Sequence, residues 1–182
     1  MKIDASVIQR LSQGDREAYT AVFREYYAPL VVYSSRIVKE REIAEDIVQE
    51  VLIRLMQSAG VFEDESHEKA WLLKVASNLC KDKLKSASRQ REVAMPEGYD
   101  VADEKQEQKE ESDILQIISQ LPEKYRSAIH LYYYEEYSVK EIAEILEKKE
   151  TTIRSLLKRG REKLARMLPQ QMKGDDGHAA GI

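Results

Sequence analysis

Apolar residues recur along this chain at intervals of three and four, the period of a helix with one buried face. After Gly14-Asp15, the positions Ala18, Val22, Phe23 and Tyr26 share a stripe. Pro29 interrupts it, and Leu30 to Val38 continue as helix beyond a kink. Glu42 to Gln57 gives the clearest pattern: Ile43, Ile47 and Val51 repeat at four, and Ala44, Val48, Leu52 and Leu55 widen the stripe. Gly60 ends it, Phe62 to Ser66 reads as a loop, and Ser66 or His67 opens a helix carrying Ala70, Trp71, Leu72, Val75, Ala76, Leu79 and Leu84. From about Ser88 to Glu111 the periodicity fades. It returns at Ile114, Leu115, Ile117, Ile118 and Leu121, where Pro122 stops the segment. Glu123 to Glu136 is a further helix, rich in tyrosine: Tyr125, Tyr132, Tyr133 and Tyr134.

Ser138 to Leu168 carries the most specific pattern. Ser138-Val-Lys-Glu141 is a capping box, in which the Ser hydroxyl accepts from a first-turn N–H and Glu141 reaches back. Ile142, Ala143, Ile145 and Leu146 follow as an apolar stripe, Glu147-Lys148-Lys149 break it, and Ile153, Leu157 and Leu164 resume it. Arg154, Ser155, Lys158, Arg159 and Arg161 lie between those apolar positions. A helix, a tight turn and a second helix with one packing face and one basic face is the plan of a helix-turn-helix.

Charge sharpens this picture. The chain of 182 residues has a net charge of −4, which by itself argues against a nucleic-acid binder. Its distribution removes the objection. Met95 to Asp113 holds eight acidic and two basic residues, whereas Lys148 to Arg166 holds eight basic and two acidic. Lys81 to Glu92 forms a second basic stretch, with five basic and two acidic residues. Local charge governs attraction to phosphate. The predicted fold is all-α: two small helical domains, 1–92 and 112–168, joined by a flexible acidic linker at 93–111, with a disordered tail at 169–182. The self-repelling linker predicts modules at variable separation.

Other chemistry finds little support. Cys80 is the single cysteine, so neither an intrachain disulfide nor a cysteine metal cluster is available, and it reads as a small core residue. His67, His130 and His178 lie far apart, and His130 falls among apolar helical positions as a packed histidine. No phosphate-cradling glycine loop or nucleophile elbow is present. The expectation is a non-enzymatic chain without metal or cofactor. Apolar runs of at most four residues are far short of the roughly 20 of a membrane span, and the N-terminus lacks a signal-peptide run; a cytoplasmic location without direct membrane insertion is expected. On the helix from Glu42, Asp46, Gln49 and Glu50 fall at i, i+3 and i+4 as a polar stripe that would suit a basic partner. On the helix from His67, Lys74, Asn78, Lys81, Lys83 and Lys85 face away from the apolar stripe, and Asn78 has the chemistry to bond a base edge or a displaced base.

Taken in order, Ala44-Glu-Asp-Ile-Val-Gln-Glu-Val51, Ala70-Trp-Leu-Leu-Lys-Val-Ala-Ser-Asn-Leu79 with Asp82, Leu121-Pro-Glu-Lys-Tyr-Arg126 and the helix-turn-helix make a chain that resembles the extracytoplasmic-function sigma factors of bacterial RNA polymerase. The resemblance runs from about Asp15 to Leu168 and implies specific roles. Asp46, Gln49 and Glu50 would dock on the coiled coil of the largest subunit of core RNA polymerase. Asn78, Asp82 and Lys83, with Lys85 on the same basic stretch, would lie at the opened minus-ten element of promoter DNA and hold a flipped base. Thr151, Thr152, Arg154, Ser155, Lys158, Arg159 and Arg161 would read the minus-thirty-five element. Trp71 would pack in the core. An anti-sigma factor would be a further partner. The alternative is a stand-alone helix-turn-helix regulator, which has no need of a polymerase-docking stripe. Five positions depart from the family pattern: Glu147 and Lys148 stand where a turn glycine and an apolar residue are usual, Lys149 where a Ser-like cap is usual, Leu156 where Arg is frequent, and Leu73 where an aromatic is frequent. Glu147 is therefore expected to be strained or the turn altered.

Overall fold

The computed structural model describes residues 5–58, 65–94 and 113–168, and these form helices and turns without a strand among them. The loop expected at Phe62 to Ser66 falls mostly outside the described residues, as do positions 95–111 of the expected linker and the tail at 169–182.

Four helices build the N-terminal module. The first, α1 (Ala5–Ser12), was not expected from the sequence pattern. Its signal is the pair Val7 and Leu11, four apart and both buried, in a segment too short to establish a period. Gly14 takes a φ of +82° in the turn that follows, a conformation open to glycine. Asp15 then caps α2 (Arg16–Val38), accepting from the Glu17 and Ala18 N–H groups at 2.9 and 3.2 Å. Arg10 grips the same carboxylate at 2.7 Å, and this bond, ahead of the two backbone bonds, holds the Asp15 carboxyl below its usual range. Helix α2 runs without a break through Pro29, so the expected interruption is absent. Proline removes one N–H donor, and in a helix of 23 residues packed along its length the remaining ladder and buried face carry the segment across. Lys39, at φ 69°, ends it with its N–H on Ser35 O at 2.8 Å.

Helix α3 (Arg41–Gln57) and α4 (Glu65–Ala94) complete the module. Tyr26, Leu30, Tyr33 and Ile37 of α2, Ala44, Ile47, Val48, Val51 and Leu55 of α3, and Leu72, Leu73, Ala76 and Cys80 of α4 meet in one core. Trp71 is half-buried against it. Leu73 needs no aromatic bulk there, being buried at its own size. Burial pushes the Cys80 thiol up to about 12, so the residue is a packed hydrophobe rather than a nucleophile. Helix α4 continues past Ser88, where the tether was expected to begin, to Ala94. That last stretch is rich in Lys, Arg, Ser and Gln, which tolerate helix well but carry no apolar period to announce it.

The C-terminal module comprises α5 (Asp113–Ser119), α6 (Glu123–Tyr133), α7 (Val139–Ile145) and α8 (Glu150–Met167). Leu121, Tyr125, Ala128, Ile129 and Leu131 pack with Ile142 and Ile145 of α7 and Ile153, Leu156 and Leu157 of α8. Leu156 is thus a core residue, and the sequence position where an Arg is frequent points inward here. Gly160 permits the close approach of α6 to α8. A Cβ at that position would stand 2.7 Å from Ile129 Cδ1.

The two modules pack against each other, α2 on α6 and α4 on α7, and their apolar cores are continuous. The variable separation expected from the tether therefore gives way to a closed arrangement. Its centre is polar. Arg126, almost fully buried, donates through Nη1 to Ser119 O and Leu121 O at 3.1 and 2.6 Å and through Nη2 to Ile37 O at the end of α2. Tyr33, fully buried and bonded to Ser77 Oγ at 2.6 Å, places its ring edge against His130. Arg36 Nη1 lies 3.1 Å from His130 Nδ1. A guanidinium can only donate, so Nδ1 accepts, and the neutral imidazole directs its Nε2–H to Glu135 at 3.2 Å. Burial, more than any charge, pushes the His130 pKa down, consistent with that tautomer. Glu135 is drawn down to about 2, chiefly by this bond and then by Lys69 at 3.0 Å.

Candidate nucleic-acid and docking interfaces

The helix-turn-helix is set by local chemistry. Ser138 N–H donates to Glu141 Oε2 at 2.8 Å and Glu141 N–H to Ser138 Oγ at 3.3 Å, so the capping box expected from the sequence is formed. The Ser138 hydroxyl, and then its backbone N–H, hold the Glu141 carboxyl below its ordinary range. At the other end of α7, Glu147 adopts φ 52°, Lys148 N–H bonds Ala143 O at 2.9 Å and Glu147 N–H bonds Glu144 O at 3.4 Å. That is a Schellman motif with glutamate in the left-handed position that glycine usually fills. The turn has the usual shape, and the strain expected at Glu147 is present. Lys149 precedes α8 without a side-chain cap bond. Glu150 in the first turn, favourably placed by charge, is engaged by Arg154 at 2.9 Å.

On α8, Thr151, Thr152, Arg154, Ser155, Lys158, Arg159 and Arg161, every one of the positions expected to read duplex DNA, are exposed, as are Glu150, Glu162, Lys163, Ala165 and Arg166. With about 100° per residue, Thr151, Ser155 and Lys158 lie close to the midline opposite the seam formed by Ile153, Leu156, Leu157 and Gly160. Arg154 and Arg161 flank one side, Thr152 and Arg159 the other. Sequence reasoning passed over Glu162, which shares that midline and is exposed. Its i+4 spacing from Lys158 was the available signal.

The expected docking stripe lies on α3, opposite the residues that face the core. Asp46 and Gln49 are exposed, and Glu50 is half-buried and paired with Arg54 at 2.9 Å. Ile53, 48% exposed, falls seven residues beyond Asp46 on the same face. It was left out of the apolar stripe, and its i+7 spacing from Asp46 was the signal that would have placed it on the docking face. A charged stripe with an exposed β-branched residue at its edge suits contact with another protein surface.

On α4, Asn78, Asp82 and Lys85 stand at i, i+4 and i+7 and share a face, whereas Lys83 lies about 140° around the helix from Asn78. The structure therefore brings three of the four expected minus-ten residues together and sets Lys83 aside. All four keep some exposure, Asn78 the least. Asn78 Nδ2 lies 3.4 Å from Glu147 Oε2, and Lys74 Nζ lies 2.9 Å from Glu147 Oε1. Ser77, Asn78 and Lys81 line a cavity of about 60 Å³ with Lys124 of α6 and Leu146 and Lys148 of the helix-turn-helix turn. Among the described residues, no group of three or more His, Cys, Asp or Glu side chains is arranged to hold a metal ion, and no helix is long and apolar enough to cross a membrane.

Comparison with known proteins supplies the frame for these surfaces. Residues 22–90 match the Sigma-70 region 2 family and residues 111–164 the Sigma-70 region 4 family. The chain is 30% identical over 176 residues to the ECF RNA polymerase sigma factor SigW of Bacillus subtilis, covering 88% of this chain and 94% of that one. It is 27% identical over 165 residues to SigM of Mycobacterium tuberculosis, covering 91% and 84%. Among solved structures, the sigma factor RpoE in complex with the anti-sigma factor NepR from Bartonella quintana has the same fold, with a TM-score of 0.66, 21% identity and coverage of 86% of this chain and 98% of that one. The region 2 match spans α3 and α4, which a stand-alone helix-turn-helix regulator has no reason to contain.

Proposed function

This chain belongs to the extracytoplasmic-function family of RNA polymerase sigma factors, and from that premise we propose how its surfaces divide the work of promoter-specific initiation. The α3 stripe of Asp46, Gln49 and Glu50 docks on the coiled coil of the largest subunit of core RNA polymerase. The face of α4 bearing Asn78, Asp82 and Lys85, with Lys83 as a peripheral phosphate contact, holds the opened minus-ten element. There Asn78 offers both a donor and an acceptor to a base that has left its stack. The exposed face of α8 enters the major groove of the minus-thirty-five element. The observation that carries this reading is α8 itself: its seven expected DNA contacts are all exposed, three near the midline opposite its buried seam and four flanking them.

The chain contributes binding energy and strand capture, and the polymerase performs the chemistry, so the chain is not an enzyme and needs no cofactor. It acts in the cytoplasm, where core polymerase and DNA are. An anti-sigma factor is its natural antagonist, a reading supported by the likeness in fold to the sigma factor RpoE, solved with the anti-sigma factor NepR. The domains extend over 1–92 and 112–168, with the acidic segment 93–111 between them and a short tail at 169–182. Its charge repels DNA, which keeps the segment off the promoter while the two modules bind.

Run-off transcription with purified bacterial core polymerase, with and without the chain, on promoter fragments from the source genome tests the proposal. Start-site-specific transcripts that require the chain are expected. Specific duplex binding by the chain alone, with no transcript, would overturn it.

A further inference from the structure

The two surfaces proposed to bind DNA touch: the turn before α8 lies against Asn78 of α4, at one end of a face whose Asp82 and Lys85 stay exposed. Glu147 stands in the left-handed position of the helix-turn-helix turn, a conformation that costs a non-glycine residue. Its carboxylate spans Lys74 at 2.9 Å and Asn78 at 3.4 Å on α4. The lysine contact, and then the asparagine, hold the Glu147 carboxyl below its ordinary range. Beside it, Lys81, Lys124 and Lys148 line a cleft that shares Asn78, and Glu123 is the acidic group in that lining. A second contact of the same kind lies at the far end of α7, where Glu135 takes Lys69 at 3.0 Å. Helix α7 is thus held on α4 by an acidic residue at each end.

We propose that Glu147 is an intramolecular clasp: its carboxylate occupies Lys74 and Asn78 in place of a nucleic-acid acceptor, so that the free chain rests closed with the Asn78 end of its minus-ten face masked by its own helix-turn-helix. This inference rests on assigning Asn78 to the minus-ten face. Three physical points carry it. The residue is strained where glycine would not be, and its side chain makes a specific contact 69 residues away. The contact uses an oxygen anion on a lysine and an amide donor, the same chemistry a phosphate or base carbonyl would offer. The ion pair is half-exposed, which makes it weak enough to be exchanged rather than permanent. A closed population lowers apparent affinity in proportion to the fraction that is open. Removing a pair of this exposure raises that fraction up to about five-fold, and repulsion among the lysines left in the cleft acts in the same direction.

The test uses the full chain with spin labels at two exposed positions, Val32→Cys on α2 and Glu162→Cys on α8. The buried Cys80 thiol, pushed up to about 12, stays unlabelled. Glu147→Gly removes the carboxylate and suits the turn, so folding is retained and is checked by circular dichroism. The parent should give one narrow inter-label distance. Glu147→Gly should broaden it toward longer distances and lower, by up to about five-fold, the chain concentration that half-saturates core polymerase in run-off transcription. The reciprocal variant, Lys74→Glu with Glu147→Lys, should restore the narrow distribution. Identical distributions for the parent and Glu147→Gly would overturn the clasp. The distance measurement contains no polymerase, so a shift to long distances with no transcript from either protein would overturn the initiation-factor reading, and the masking role with it, independently of the clasp contact.

Discussion

Arg126 concentrates much of the closed arrangement in one side chain, and its replacement gives a quantitative prediction. Its guanidinium satisfies three carbonyls: Ser119 O and Leu121 O in the turn between α5 and α6, and Ile37 O at the end of α2. Ile37 O belongs to the last turn of α2, where carbonyls have no intrahelical donor. Orphaning a buried acceptor costs about 1–3 kcal/mol, so three such losses bound the effect at roughly 3–9 kcal/mol. Two observations reduce it. Burial lowers the Arg126 pKa, so the cation itself is penalised in place, and its Nε lacks a partner. Replacing it with an apolar residue relieves that penalty, which is several kcal/mol for a buried ion. The net expectation for Arg126→Leu is a loss of about 3 kcal/mol, and for Arg126→Lys, which can bond only some of the three carbonyls, about half of that. Urea unfolding at pH 7, monitored by circular dichroism and by tyrosine fluorescence to test two-state behaviour, measures both. A loss below about 1 kcal/mol in Arg126→Leu, or equal losses in the two variants, would refute the claim that the three carbonyl bonds outweigh the burial of charge.

Other expectations are more direct. Arg154→Ala, Lys158→Ala and Arg159→Ala should each weaken promoter binding; a base-reading residue should cost about 1–3 kcal/mol and relax specificity, and a phosphate contact should reduce the salt slope by about one, both read from binding isotherms at several salt concentrations. Asp46→Arg with Glu50→Arg should abolish capture by core polymerase in a pull-down and leave helicity intact, because both side chains reach solvent; loss of helicity would make the stripe structural. His130 has a depressed folded pKa, so the unfolded chain binds more protons below about pH 6.5 and stability should fall as the solution is acidified through that value. Glu135, drawn down to about 2, titrates below that window. The urea midpoint between pH 7.5 and 5.5 should therefore drop in the parent and drop less in His130→Gln, and equal slopes would count against a neutral buried imidazole.

Much of this protein was determined by its sequence because the relevant forces are local. The capping box at Ser138 and Glu141, the period of α3 and α8, and the basic face between Ile153 and Leu164 involve residues within a turn or two of each other, and short-range hydrogen bonding and amphipathicity decide them. The same locality explains the sequence-level errors. Pro29 signals a break, yet packing carries α2 through it; Val7 and Leu11 of α1 lack the length to establish a period; the polar end of α4 stays helical without an apolar stripe. Only the tertiary structure decided what lies between the modules. His130 was legible as buried, but not that Arg36 and Glu135 fix its tautomer. Leu156 was legible as a departure, but not as part of the seam. Glu147 was legible as a residue out of place in a turn, but its contact with Lys74 and Asn78 depends on chain folding that brings positions about seventy residues apart together. Long-range electrostatic partners leave no periodic trace in a sequence, because each residue's spacing to its neighbours is the same whether its partner is a distant side chain or water.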